Sequence, residues 1–143
     1  MIGVTVAEEG EVEARTVAFD LADEVPPLVA VRRWAGEALS DLGDDDVTDC
    51  VLVVTELVTN AYDHGAAPRR VALHRDRDPC RIRVEVHDGS RGRVRVGRSR
   101  LGGHRGRGMV IVSQIAAEWG VRQQGTGKTV WAEIVCQETD RTR

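Results

Sequence analysis

The stretch Val51-Leu-Val-Val-Thr-Glu-Leu-Val-Thr-Asn-Ala-Tyr-Asp-His-Gly65 constrains the fold more than any other part of the chain. Val51, Val54, Leu57, Val58 and Ala61 recur at the spacing of a helix face turned to a core, and Leu52 and Val53 leave little of the first turns for water. Glu56, Asn60 and His64 interrupt this helix. Residues four apart lie on nearly the same face, so the three form one polar stripe. No Lys or Arg stands three or four residues from Glu56 in either direction, so nothing on its own helix offsets the desolvation of its carboxylate. A ligand carrying a metal would.

The chain has 143 residues, enough for one domain with a proper core, and only five aromatics, so Val, Leu, Ile and Ala must fill the interior. No apolar run approaches the roughly 18 residues of a membrane span. The segment Met1 to Arg15 has no basic flank ahead of an apolar core, and a cytoplasmic location is expected. Cys50, Cys80 and Cys136 are odd in number and widely spaced, without a C-x-x-C pair. They are read as buried thiols, neither a disulfide framework nor a zinc site.

Around the central helix the elements follow in order. Residues 12–19 have the composition of a strand, and Pro26-Pro27 suit the opening turn of a helix carrying Leu28, Val31, Ala35, Ala38, Leu39 and Leu42, which Gly43 ends. Asp44, Asp45 and Asp46 supply a cap and first-turn carboxylates for the central helix, and Gly65 with Pro68 closes it. Residues 69–74 and 81–87 alternate about a turn at 76–79, and 119–122 and 129–136 alternate about Gly125-Thr-Gly127, which predicts two hairpins. Met109, Val112, Ile115 and Ala116 predict a helix over 108–118 between them. Antiparallel strands with one wet face need helices on the other. The fold class is therefore α+β, a two-layer α/β sandwich.

Charge divides the chain. Residues 1–64 carry 15 acids and 3 bases, whereas 65–143 carry 8 acids and 17 bases. Within the second part, residues 90–108 hold seven arginines and six glycines with no acid. A loop of this length in a compact domain is functional or disordered. Arg/Gly content also raises a nucleic-acid reading, but that binding mode uses aromatic stacking partners and this window has none.

Four segments carry the chemistry: Glu56-x-x-x-Asn60 on a helix, Asp88-Gly89-Ser90 after a strand, Gly106-Arg107-Gly108 at the start of a helix, and Gly125-Thr-Gly-Lys-Thr129 before the last strand. Glycines at a helix N-terminus let backbone N–H groups approach an anion, which predicts phosphate at Gly106–Gly108. Asp88 can accept a hydrogen bond from the exocyclic amine of adenine. An Asn oxygen suits Mg²⁺, which takes few protein ligands when phosphates supply the rest. Together these point to Mg-ATP. Gly127-Lys128-Thr129 looks like the end of a P-loop, but position 122 is Arg where that motif needs Gly and a strand follows, so a P-loop is rejected.

In these segments the sequence resembles the ATP-binding domain family shared by sensor histidine kinases, heat-shock-90 chaperones, type II topoisomerases and mismatch-repair ATPases. Glu56-Leu-Val-Thr-Asn60-Ala-Tyr-Asp-His64-Gly65 and Gly-Lys-Thr-Val-Trp131 most resemble bacterial anti-sigma-factor serine kinases. The resemblance covers about residues 12–136, with tails at 1–11 and 137–143. It implies a Bergerat-type fold, a mixed and mostly antiparallel sheet covered on one face by helices. It assigns Asn60 as magnesium ligand and Glu56 as the carboxylate that orients or deprotonates the attacking hydroxyl. Asp88 becomes the adenine reader with Thr129 beside it, and Gly106 and Gly108 the phosphate-loop glycines. Ser90, Gly92, Arg105 and Arg107 complete the nucleotide site. Ser90 stands where the family often has a glycine, which weakens binding if that site needs a positive φ. Arg105 and Arg107 read either as solvated charges or as partners of the γ-phosphate, and His64 either as a helix-end residue capping carbonyls or as a catalytic group.

The function implied is an ATP-dependent serine/threonine-protein kinase that phosphorylates a protein antagonist and holds a sigma factor in its absence, with no membrane or nucleic-acid partner and with a homodimer compatible. A histidine kinase proper, which needs a helical hairpin to present its phospho-accepting histidine, is not expected, since residues 1–11 do not read as one. A different class of function is an ATP-gated protein-binding module without phosphoryl transfer. Glu56 favours the enzyme.

Overall fold

Alternation along the strands gives the sheet one dry face, and the helices cover it. The computed structural model describes residues 4–9, 14–22, 24–90 and 107–137. Its elements are β1 (Val4–Glu9), β2 (Ala14–Leu21), α1 (Leu28–Ala38), α2 (Asp44–His64), β3 (Arg69–Arg77), β4 (Cys80–Asp88), α3 (Arg107–Ile115), β5 (Glu118–Gln124) and β6 (Gly127–Val135). They form a six-stranded sheet in the order β1-β2-β3-β4-β6-β5. The sheet was expected to be mixed and mostly antiparallel; every pairing among the described strands is antiparallel.

The inward series is Val17, Phe19 and Leu21 from β2, Val71 and Leu73 from β3, Ile82, Val84 and Val86 from β4, and Val130, Ala132 and Ile134 from β6. These side chains meet Val31, Trp34 and Ala35 of α1, Val53, Val54, Leu57, Val58 and Ala61 of α2, and Met109 and Val112 of α3 in one core. Phe19 and Trp34 lie with ring centroids 5.4 Å apart, the tilted aromatic contact of that core. The result is the expected two-layer α/β sandwich, with α2 packed on both other helices and on β4.

Several boundaries differ from the sequence reading, each for a local reason. β1 lies inside the expected tail 1–11, because an edge strand needs only backbone pairing, here from Val4↔Phe19 to Glu9↔Ala14. The first helix ends at Ala38 rather than at Gly43. Leu39, Ser40 and Leu42 donate to Ala35, Glu37 and Leu39 carbonyls in tightening turns, and Gly43 is instead the N-cap of α2, ahead of its three aspartates. The expected helix 108–118 stops at Ile115, and Glu118 already pairs with Glu133. The thiol reading holds for Cys50 alone, whose pKa is pushed up to about 12 by burial. Cys80 and Cys136 form a disulfide across 56 residues. The Arg81↔Val135 pairing sets these two cysteines opposite each other, and Cys136 N–H donates to the Cys80 carbonyl at 3.1 Å.

The outer face of the sheet carries a charged network. Arg83 donates to Glu85 at 2.9 Å and Glu133 at 2.8 Å while its guanidinium lies 4.3 Å from the centre of a Trp131 ring. Glu85 also holds His74 at 3.2 Å. The hydrogen bond from His74, against the opposing cost of burial and with the help of Arg83, lowers the Glu85 pKa from 4.5 to about 2. A carboxylate depressed in the folded state stabilises it above its unfolded pKa and loses that contribution as pH falls towards the folded one. Glu85→Gln is therefore expected to flatten the fall in stability between pH 4.5 and 2, read from urea midpoints at successive pH values.

Candidate functional site

The helix α2 carries its polar stripe towards α3. Asn60 is buried, Glu56 half-buried and His64 exposed. The Glu56 carboxylate has its proton affinity raised by burial, with the charge of Arg32 acting in the opposite direction. The cation missing from its own helix thus comes from α1. At the first turn of α3, a Cβ on Gly108 would stand 2.6 Å from Glu56 Oε1. Only a glycine lets this carboxylate lie against the helix start without being displaced.

The strand β4 ends in an acid that continues its apolar series. Cys80, Ile82, Val84 and Val86 face inward at alternate positions, and Asp88 takes the next inward place with 1% of its surface exposed. Its Oδ1 accepts the Ser90 N–H at 2.7 Å and the Ala66 N–H at 3.3 Å. Its Oδ2 is buried and has no hydrogen-bond partner. Lys128 Nζ lies 3.6 Å from that oxygen, an ion-pair distance too long for a hydrogen bond.

Where α2 ends, backbone and carboxylate crowd together. A Cβ on Gly65 would meet the Ala61 carbonyl, and would lie 2.6 Å from Asp88 Cγ and 2.7 Å from Oδ2. The helix-end carbonyls are not capped by the His64 side chain as expected. Arg69 donates to the carbonyls of Ala61 at 2.9 Å and Gly65 at 3.3 Å, and Lys128 to that of His64 at 3.4 Å.

The structure brings Glu56 and Asn60 of α2, Gly108 of α3, and Asp88 with Ser90 at the end of β4 to one edge of the helix–sheet sandwich. Ser90 needs no positive φ, since no described residue other than glycine has one. Thr129 is placed elsewhere: it pairs with His87, faces the outer side of the sheet, and has its Oγ1 3.2 Å from His87 Nδ1. Lys128 is the β6 residue opposite Asp88. Gly92, Arg105, Gly106 and the Arg107 side chain lie outside the described residues. Sequence reasoning missed Lys128, although the inward series Ile134, Ala132 and Val130 leads to it at the next alternate position.

A buried acceptor at a strand end, a carboxylate and an amide on one helix face, and a glycine at a facing helix N-terminus are complementary to a base, a metal–phosphate group and an anion, respectively. The family model for the histidine kinase-like ATPase domain matches residues 21–134. The chain belongs to this family. ATP binding comes with membership of this ATPase family, whose match reaches from the end of β2 into β6. Among solved structures, this ATPase domain is similar to the histidine kinase domain of the blue-light activated histidine kinase of Erythrobacter litoralis. The two are 26% identical with a TM-score of 0.47, and the match covers 80% of this chain and 63% of that one. The chain thus spans less than two thirds of that relative's length. No curated protein matched. No helix among the described residues is long and apolar enough to cross a membrane.

The crowding at Gly65 can be tested directly. Gly65→Ala forces a methyl group against the Ala61 carbonyl and the Asp88 carboxylate, neither of which can yield without disturbing α2 or the site. A loss of about 1–3 kcal/mol in urea unfolding is expected, the usual cost of overpacking, together with weakened nucleotide binding.

Proposed function

We propose that this domain binds Mg-ATP at the α2–β4–α3 edge and transfers the γ-phosphoryl group to a serine or threonine of a protein antagonist, in the manner of the anti-sigma-factor serine kinases it resembles. The observation that carries the reading is Asp88 Oδ2, a buried carboxylate oxygen with one empty acceptor position beside a glycine. An exocyclic amine fills such a position, and adenine has one.

The remaining residues fit the rest of the nucleotide. Asn60 is buried with its amide Nδ2 unpartnered, and its side chain would offer its oxygen to a cation. An amide oxygen suits a magnesium ion whose remaining positions phosphates and waters fill. Magnesium would supply charge neutralisation on the phosphate oxygens. The first N–H groups of α3, beginning at Arg107–Gly108, have no carbonyl partner within the helix and would meet the negative charge of the phosphates. Glu56 lies beside them, and burial raises its affinity for a proton towards the range useful to a general base. In the transfer, Glu56 takes the proton of the acceptor hydroxyl as its oxygen forms a bond to the γ-phosphorus. The bond from that phosphorus to the bridging oxygen breaks, and ADP leaves with the electron pair. Holding a sigma factor until the antagonist is met is the regulatory use this reading assigns to the protein.

Measurements of binding and of turnover test it. Mg-ATP is expected to raise the melting temperature, as any ligand selective for the folded state does, and Asp88→Asn or Asn60→Ala to remove most of that shift. Calorimetry without adenine-nucleotide binding at millimolar concentration would overturn the whole proposal. Glu56→Gln keeps size and hydrogen bonding but loses the charge. It should bind ATP nearly as the wild type does while slowing single-turnover transfer by a factor on the order of 10²–10⁴. A wild type that binds ATP and its partner protein but transfers nothing to it identifies an ATP-gated binding module instead.

A further inference from the structure

Lys128 is a buried cation with none of its side chain exposed, among the largest wholly buried side chains of the protein. Charges are left in such places only when paired. Its ammonium has three N–H donors, and three oxygens surround it: Ser90 Oγ at 3.0 Å, the His64 carbonyl at 3.4 Å and Asp88 Oδ2 at 3.6 Å. Each oxygen comes from a different element: the loop after β4, the C-terminus of α2, and the last residue of β4. Two of the three contacts are hydrogen bonds and the third is not. The lysine is therefore anchored by Ser90 and His64 and only leans on Asp88 through charge, so that Asp88 Oδ2 keeps its acceptor position unused. Ser90 is bound to both partners, donating its N–H to Asp88 Oδ1 and offering its hydroxyl to Lys128.

Resting on the reading of Asp88 as the base-recognising acceptor, we propose that Lys128, anchored by Ser90, is the positioning residue that aims the Asp88 carboxylate and thereby sets the selectivity for a 6-amino purine. The sequence Asp88-Gly89-Ser90 and Lys128 then form one device. The serine at the position where a glycine is common in related sites is the hydroxyl that the buried ammonium requires. Without the ammonium, Oδ2 faces the C-terminus of α2 with no counter-charge, and the carboxylate turns away from the position that accepts the amine. With it, a base lacking the amine leaves Oδ2 unsatisfied in a buried site, which is the kind of penalty that discriminates strongly.

The test compares binding of Mg-ATP with that of the Mg-triphosphate of purine riboside, which lacks only the 6-amine, by calorimetry on the full chain. The wild type is expected to prefer ATP roughly 10- to 100-fold, the worth of a hydrogen bond to a charged acceptor. Lys128→Met keeps the length of the side chain and removes the charge. It should bring the preference close to one by weakening ATP while leaving the purine riboside triphosphate nearly unchanged. A merely structural lysine would weaken both ligands equally. Because Lys128→Met leaves Asp88 buried without a counter-charge, Ser90→Ala provides the milder variant, and it should reduce the preference several-fold with the fold intact by circular dichroism. A preference retained in full by either folded variant overturns the role of Lys128 and leaves the reading of Asp88 standing. A wild type that does not distinguish the two nucleotides overturns both.

Discussion

The site depends on a carboxylate that cannot be where it is without help. Asp88 stands at the end of an apolar strand, at a position that the alternation of β4 turns into the layer between sheet and helices. Leaving a charge there unsatisfied costs several kcal/mol. Two backbone N–H groups, from Ala66 and Ser90, hold one oxygen, and a fully buried lysine stands off the other. These donors belong to the turn after α2 and the loop after β4, so their arrangement ties the end of the central helix to the end of the central strand.

That tie explains why α2 organises the domain. Its apolar side packs against α1, α3 and β4, and its C-terminal carbonyls are taken by Arg69 from β3 and Lys128 from β6. The helix is thus bound at its end to two strands on either side of β4, and the stripe of Glu56 and Asn60 is held in a fixed relation to Asp88. Gly65 and Gly108 are points of close approach, one to the Asp88 carboxylate and one to the Glu56 carboxylate. In both places the missing side chain is what allows a charged group to sit against a helix terminus.

Much of this was legible in the chain because it depends on local periodicity. The alternation of Ile82, Val84 and Val86, the helical spacing of Val54, Leu57, Val58 and Ala61, and the turn at Gly125-Thr-Gly127 each have a short range and a definite period. The fold class and the ATPase family followed from them and from four short motifs. Element ends were less legible. Gly43 reads equally well as the end of one helix or the start of the next, and only the turn bonds from Leu39 to Leu42 decide between them. A strand such as β1, paired along one edge and built from Val4-Thr-Val-Ala-Glu-Glu9, leaves little apolar signature to find.

The sequence by itself determined which residues face inward, because the period of two in a strand and of 3.6 in a helix is a property of the backbone alone. It determined that Glu56 and Asn60 share a helix face and that Asp88 follows a strand whose alternate residues face inward. Only the tertiary structure decided which residues from distant segments meet. The pairing Arg81↔Val135 turned two of three scattered cysteines into a disulfide, and Asp88↔Lys128 put the lysine rather than Thr129 on the carboxylate's face. The charge of Arg32, on another helix, acts on the Glu56 carboxylate. Such contacts rest on strand register and helix packing, which summed burial over the whole core selects, and no local stretch of sequence encodes that sum.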